Sequence, residues 1–151
     1  MHQFCQWLYS SGMGTAIRQS IWVFPIIETV HVLGIALLAG TVSILDLRLL
    51  GLILKRESVS ELTQQILPLT WAGFAVMFVT GFLLFAAEAA DCYGNMAFRI
   101  KMILIPMAGL NALVFHRNPV TPWRARVAGG FSMSLWVGII CAGRAIAYLQ
   151  K

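Results

Sequence analysis

The chain has 151 residues, of which 59% are hydrophobic and 11% charged, with a formal net charge of +5 and a mean hydropathy of +0.79. A soluble domain carries roughly 25% charged residues, so there is too little polar surface here to coat a soluble fold. The basic residues cluster at the ends of apolar runs and not in a patch interleaved with aromatics, which excludes a nucleic-acid partner and reads as a set of topology signals.

Residues 1–20 place Phe4, Trp7 and Leu8 at helical spacing before Ser10, Ser11 and Gly12 interrupt. This predicts a short interfacial segment, with Trp7 and Tyr9 at headgroup level. No cleavable leader is evident, because the apolar run after Arg18 outlasts a signal core and contains Glu28 and His31. The first span lies within about 21–50, longer than the ~20 residues needed to cross a bilayer. Pro25 marks either its first turn or a kink in a helix begun earlier.

Lys55 to Gln65 is polar and reads as a loop that could include a helical turn, with Pro68 opening the second span, about 68–90. Asp91 to Asn95, with Gly94, forms a tight connection to the third span, about 98–115, where Pro106 predicts a kink. Asn118, Pro119 and Pro122 predict a rigid loop before the fourth span, about 126–148. The expected fold is all-α: one transmembrane domain over residues 1–151, an antiparallel up-down four-helix bundle.

Four spans put both termini on one side, side A, together with the 91–97 connection. The other two loops lie on side B. Arg48, Lys55, Arg56, Arg117, Arg124 and Arg126 lie at side B, against Arg18, Arg99 and Lys151 at the water boundary of side A. The excess predicts a cytoplasmic side B and periplasmic termini in a bacterial inner membrane. Trp7 and Trp22 mark side A, and Trp71 and Trp123 mark side B, as two aromatic belts. Cys5 and Cys92 share side A, where an oxidising compartment would permit a disulfide; two free thiols is the preferred reading. Cys141 reads as a small packing residue.

At 100° per residue, Glu28, His31, Ile35, Val42 and Asp46 share a face of the first span, and Thr70, Gly73, Met77, Gly81, Leu84 and Glu88 a face of the second. Lys101, Ala108, Gly109, Ala112 and His116 share a face of the third, and Gly130, Ser134, Gly138 and Ala142 recur along the fourth. Small-residue ladders read first as helix-packing surfaces, though such a ladder could also admit a flat cofactor. Ionisable groups inside a membrane are costly and usually functional. Glu28, His31, Glu88, Lys101 and Arg144 all fall in the side A half, which predicts one polar layer drawn from four helices. Its two negative and two positive groups could neutralise one another. The layer is either a packing lock or a site for a ligand, metal, quinone headgroup or protons. The side B residues Asp46, Arg48, His116, Arg117, Arg124 and Arg126 read as topology and interfacial pairing near water. Asn111 is expected to bond across helices.

Haem b held by both membrane histidines is disfavoured: His31 lies about 10 residues from side A and His116 about 18, so they differ in depth by roughly 12 Å at about 1.5 Å per residue. His31 could still ligate haem with Met102 or another partner. Copper could use His2, Cys5, Met13, Cys92 and Met96, which form no recognised spacing. No hydrolase or nucleotide-binding signature is present.

The strings Trp22-Val-Phe-Pro-Ile-Ile-Glu28-Thr-Val-His31-Val-Leu-Gly34, Leu45-Asp46-Leu-Arg48-Leu-Leu-Gly51, Thr80-Gly81-x-Leu-x-Phe85-x-x-Glu88, Phe98-Arg99-x-Lys101, Asn111-Ala-Leu-Val-Phe-His116 and Gly143-Arg144-x-Ile-Ala147-Tyr148 span nearly the whole chain. Together they resemble a bacterial family of small four-span inner-membrane proteins of unknown function. The architecture alone is similar to copper-resistance D and cytochrome b561-like membrane proteins. The resemblance implies a four-helix inner-membrane protein and no established activity. Three functional readings follow: a binding or electron-transfer module using haem b, a quinone or a metal ion; an accessory subunit of a larger membrane complex or homo-oligomer; and a small solute, metal or proton carrier.

Overall fold

The computed structural model describes residues 2–54, 56, 58–117 and 121–149. Among them the regular structure is entirely helical: α1 (His2–Tyr9), α2 (Gly12–Gln19), α3 (Val23–Leu49), α4 (Val59–Gly94), α5 (Met96–Arg117) and α6 (Pro122–Leu149).

Each long helix starts and stops where its local chemistry requires. The Ser20 hydroxyl accepts from the Val23 amide at 3.1 Å, and Pro25 follows in the first turn of α3, where a missing N–H breaks no helical bond. At the other end Gly51 adopts φ +75°. Its amide donates to Arg48 O and the Leu52 amide to Leu47 O, both at 3.0 Å, which closes α3 with a Schellman motif.

The polar stretch expected to be a loop instead opens α4. Ser58 Oγ accepts from the Glu61 amide at 3.1 Å and donates to the Glu61 carboxylate at 2.9 Å, so a capping interaction starts the helix at Val59. Pro68 therefore lies inside α4 and not at its opening. Near the far end α4 bends at Glu88 (φ −122°, ψ 21°). Arg18 of α2 donates to the Ala87 carbonyl there at 2.9 Å and lies 3.7 Å over the Tyr9 ring. These contacts hold α1 and α2 on α4, with Cys5 and Leu8 packed against Ala86 and Ala89. The N-terminal segment is thus docked on the bundle. Cys5 and Cys92 are buried and Cys141 is exposed, and none of the three is in a disulfide.

Asn95 alone links α4 to α5, and its side chain accepts from the Ala97 amide at 2.9 Å. α5 continues as one helix through Pro106. α6 begins at Pro122, a turn earlier than the sequence suggested and with proline in the first turn. The rest of the expected rigid loop, Asn118 and Pro119, lies outside the described residues.

α3 packs on both α4 and α6, and α6 on both α3 and α5, whereas α4 and α5 barely touch despite their short connection. Around the bundle the order is α4, α3, α6, α5, and the α4–α5 seam is not closed by helix packing. Phe85 and Phe98 stack across it, with ring centroids 5.3 Å apart.

Each of the four long helices is long and apolar enough to cross a bilayer. Large apolar side chains face outward along them, including Leu33, Phe78, Ile103 and Val137. Trp7, Trp22, Trp71 and Trp123 are exposed as well, as aromatic belts require. The chain is a multi-pass membrane protein with an all-helical four-helix bundle.

Candidate functional site

The stripe of small residues on α4 faces α3, and the glycines bring the two backbones together. A Cβ at Gly73 would stand 3.1 Å from Leu38 N, and one at Gly34 would stand 3.0 Å from Val76 Cγ1. This close approach is how membrane helices associate. At these two glycines the ladder is a packing surface. The ladder on α6 is used less evenly: Gly138 meets Leu104, while Ser134 is exposed and bonds back to Gly130 O.

Near side A the third glycine of the α4 stripe receives His31. A Cβ at Gly81 would stand 3.2 Å from His31 Cε1, so the ring packs closely on the bare glycine backbone and would have to shift by a few tenths of an ångström to accept a side chain there. His31 is 8% exposed, although four of its sequence neighbours on α3 (Thr29, Val30, Val32 and Leu33) are open to the surroundings. His31 Nδ1 lies 2.8 Å from Thr80 Oγ1. The Thr80 hydroxyl proton is already committed, because Oγ1 donates to Val76 O at 2.6 Å. Thr80 must therefore accept from His31, which puts the proton on Nδ1. In the neutral ring the lone pair is then on Nε2, which makes no hydrogen bond among the described residues. A second group fixing the tautomer and orientation of a histidine is what a ligating or proton-accepting imidazole requires.

Lys101 of α5 is close enough to His31 for its charge to act on the imidazole. Its Nζ would lie 3.5 Å from a Cβ at Gly143 on α6, so the lysine packs against that helix. Cys92, near the end of α4, is within electrostatic reach of the same ammonium. All four long helices therefore border this region, through His31, Thr80 with Gly81, Lys101 and Gly143.

The other members of the expected layer are more open to the surroundings than His31. Glu28 is exposed, with no hydrogen bond or ion pair among the described residues. Arg144 is exposed and turns to Tyr148, 3.4 Å from its hydroxyl. Glu88 is half-buried at the α4 bend. Met102 is 54% exposed and faces away from the interior, so it is not placed to share a ligand with His31. His116 stands in the last turn of α5, at the other end of the bundle, and its side chain lies outside the described residues. Among the described residues no group of three or more His, Cys, Asp or Glu side chains could hold a metal ion.

At side B the structure corrects the reading of Asp46 as a near-water residue. Asp46 is only 3% exposed, because Gly129 of α6 packs against its backbone. Its carboxylate hydrogen-bonds with Ser132, and Oδ2 is buried without a partner. Sequence reading passed over Gly129 and Ser132, which fall outside the four-residue ladder chosen for α6. Asn111 bonds across helices as expected, donating to Ala128 O at 3.2 Å.

A model described as a family of unknown function (DUF6644) matches residues 4–149. No curated protein and no solved structure matches the chain.

Proposed function

Since the chain belongs to a family of unknown function (DUF6644), its activity must be sought in its site, and we propose that it binds a lipid-soluble redox headgroup of the quinone class at His31. The observation that carries this reading is the fixed tautomer of His31, Nδ1–H to Thr80 with the Nε2 lone pair uncommitted. A quinol hydroxyl donates to such a lone pair, and a quinone carbonyl accepts from an ammonium such as Lys101. Both redox states of one headgroup then have a partner, which suits an electron-transfer module. The weakly packed α4–α5 seam supports entry from the bilayer.

A metal ion suits the region less well, since Lys101 opposes a cation and no group of three or more His, Cys, Asp or Glu side chains among the described residues could hold one. Haem b is the second reading, because an Nε2 lone pair also suits iron. The proposal further puts the protein in a bacterial inner membrane with both termini periplasmic, on the excess of basic residues at side B. Glu28, Glu88 and Arg144 would act around the site, at its entrance, and not as direct ligands.

Protein purified from its native membrane in mild detergent tests the reading. Solvent extraction and chromatography should recover quinone in near-stoichiometric amount from the wild type and much less from His31→Ala and Lys101→Met. A Soret band would transfer the assignment to haem. Quinone at the level of empty micelles, with no Soret band, would leave His31 as a packing residue of an accessory subunit.

A further inference from the structure

A cavity of about 630 Å³ opens at side B, away from His31, where the C-terminus of α3 meets the first turns of α4 and α6. Arg48 and Arg126 both line it, and no acidic side chain does among the described residues. Arg126 makes no hydrogen bond or ion pair among those residues, and neither do the Ser60 hydroxyl and the Gln64 amide, which also line the cavity. The nearby carboxylates face elsewhere: Glu61 accepts from Ser58, and Asp46 bonds with Ser132.

The backbone adds to this charge. Two helices present their N-terminal turns to the cavity, α4 at Val59 and Ser60, and α6 at Pro122 and Ala125. Helix N-termini favour anions. α3 ends here too, and its carbonyls would oppose an anion. The Schellman motif commits two of them, Leu47 O and Arg48 O, to the Leu52 and Gly51 amides. Leu49, Leu67 and Phe115 complete the wall with apolar surface.

From this arrangement we infer that the cavity is a binding site for a phosphate group, carried by an anionic lipid headgroup or free in solution. Arg126 is the principal donor, assisted by Ser60 and Gln64. Basic pockets between transmembrane helices at a membrane surface bind phosphate-bearing headgroups on the same grounds. The apolar wall matches the first methylenes of an acyl chain. The inference is independent of what His31 binds.

The test uses full-length protein in a neutral detergent. Thermal unfolding and native mass spectrometry are followed as phosphatidylglycerol, phosphatidylcholine or inorganic phosphate is added, the last against chloride of equal ionic strength. Phosphatidylglycerol should stabilise the protein and remain bound where phosphatidylcholine does not. Arg126→Gln should weaken that binding roughly tenfold, as loss of one charge-assisted hydrogen bond implies. Arg124→Gln, which removes a charge from the same turn outside the cavity, should leave it unchanged. Stabilisation by inorganic phosphate, lost in Arg126→Gln, would support the site and identify the free anion as its source. The inference is overturned if neither phosphatidylglycerol nor phosphate exceeds its control, or if Arg126→Gln binds as the wild type does.

Discussion

His31 Nδ1 donates to Thr80 Oγ1 at 2.8 Å, and the Thr80 hydroxyl in turn donates to Val76 O at 2.6 Å. One α4 threonine thus sets both the ring orientation and the tautomer of an α3 histidine. Thr80→Val keeps the shape but removes the acceptor, leaving Nδ1–H buried and unsatisfied. It should cost about 1–3 kcal/mol of stability. Nitrogen NMR of labelled histidine should show the proton redistributed between the two ring nitrogens, and Thr80→Ser should restore the wild-type signature.

Gly81 and Gly73 occupy the same stripe but face different neighbours. A Cβ at Gly81 meets the edge of an imidazole, whereas one at Gly73 meets Leu38 N at 3.1 Å and Leu38 Cα at 3.2 Å. A ring can tilt more easily than a helix backbone can retreat. Gly73→Ala should therefore destabilise the bundle more than Gly81→Ala, with overpacking costs of about 1–3 kcal/mol. Gly81→Ala should instead show its main effect in ligand retention at His31. Denaturation midpoints and solvent extraction of the two variants separate these outcomes. The α4 stripe was legible from the sequence because glycine spacing is periodic. Its occupants, Leu38 and His31, were not, because they depend on the register between two helices.

Arg18 ties the N-terminal helices to the α4 bend through Ala87 O and the Tyr9 ring. Removing the guanidinium frees a carbonyl where Glu88 departs from helical geometry. Arg18→Ala should cost about 1.5–3 kcal/mol, typical of a hydrogen bond to a charged group. The loss should be local, with hydrogen exchange and proteolysis rising in residues 2–19 while the four long helices stay protected.

Asp46 and Ser132 should not behave additively. Ser132→Ala strands a carboxylate whose Oδ2 already has no partner, and should be clearly destabilising. Adding Asp46→Leu removes the stranded group and should recover part of that loss. Unfolding of the two single variants and the double variant closes the cycle. A double variant less stable than Ser132→Ala alone would show that the carboxylate has another role.

Composition and periodicity by themselves determined the class, the four spans, the antiparallel order and the small-residue faces, because a bilayer leaves one solution for a chain this apolar. Local sequence also held signals that a coarse reading overlooked, such as the Ser58–Glu61 capping pair that starts α4 before Pro68. Tertiary structure alone decided which charges are interior. Glu28 and His31 lie one helical turn apart, yet the first is exposed and the second is buried between Thr80 and Gly81. Depth in a membrane can be counted along one helix; rotation toward a neighbour depends on residues nearly fifty positions away, and that is why the burial of His31, and the exposure of Glu28 one turn before it, were not legible in the sequence.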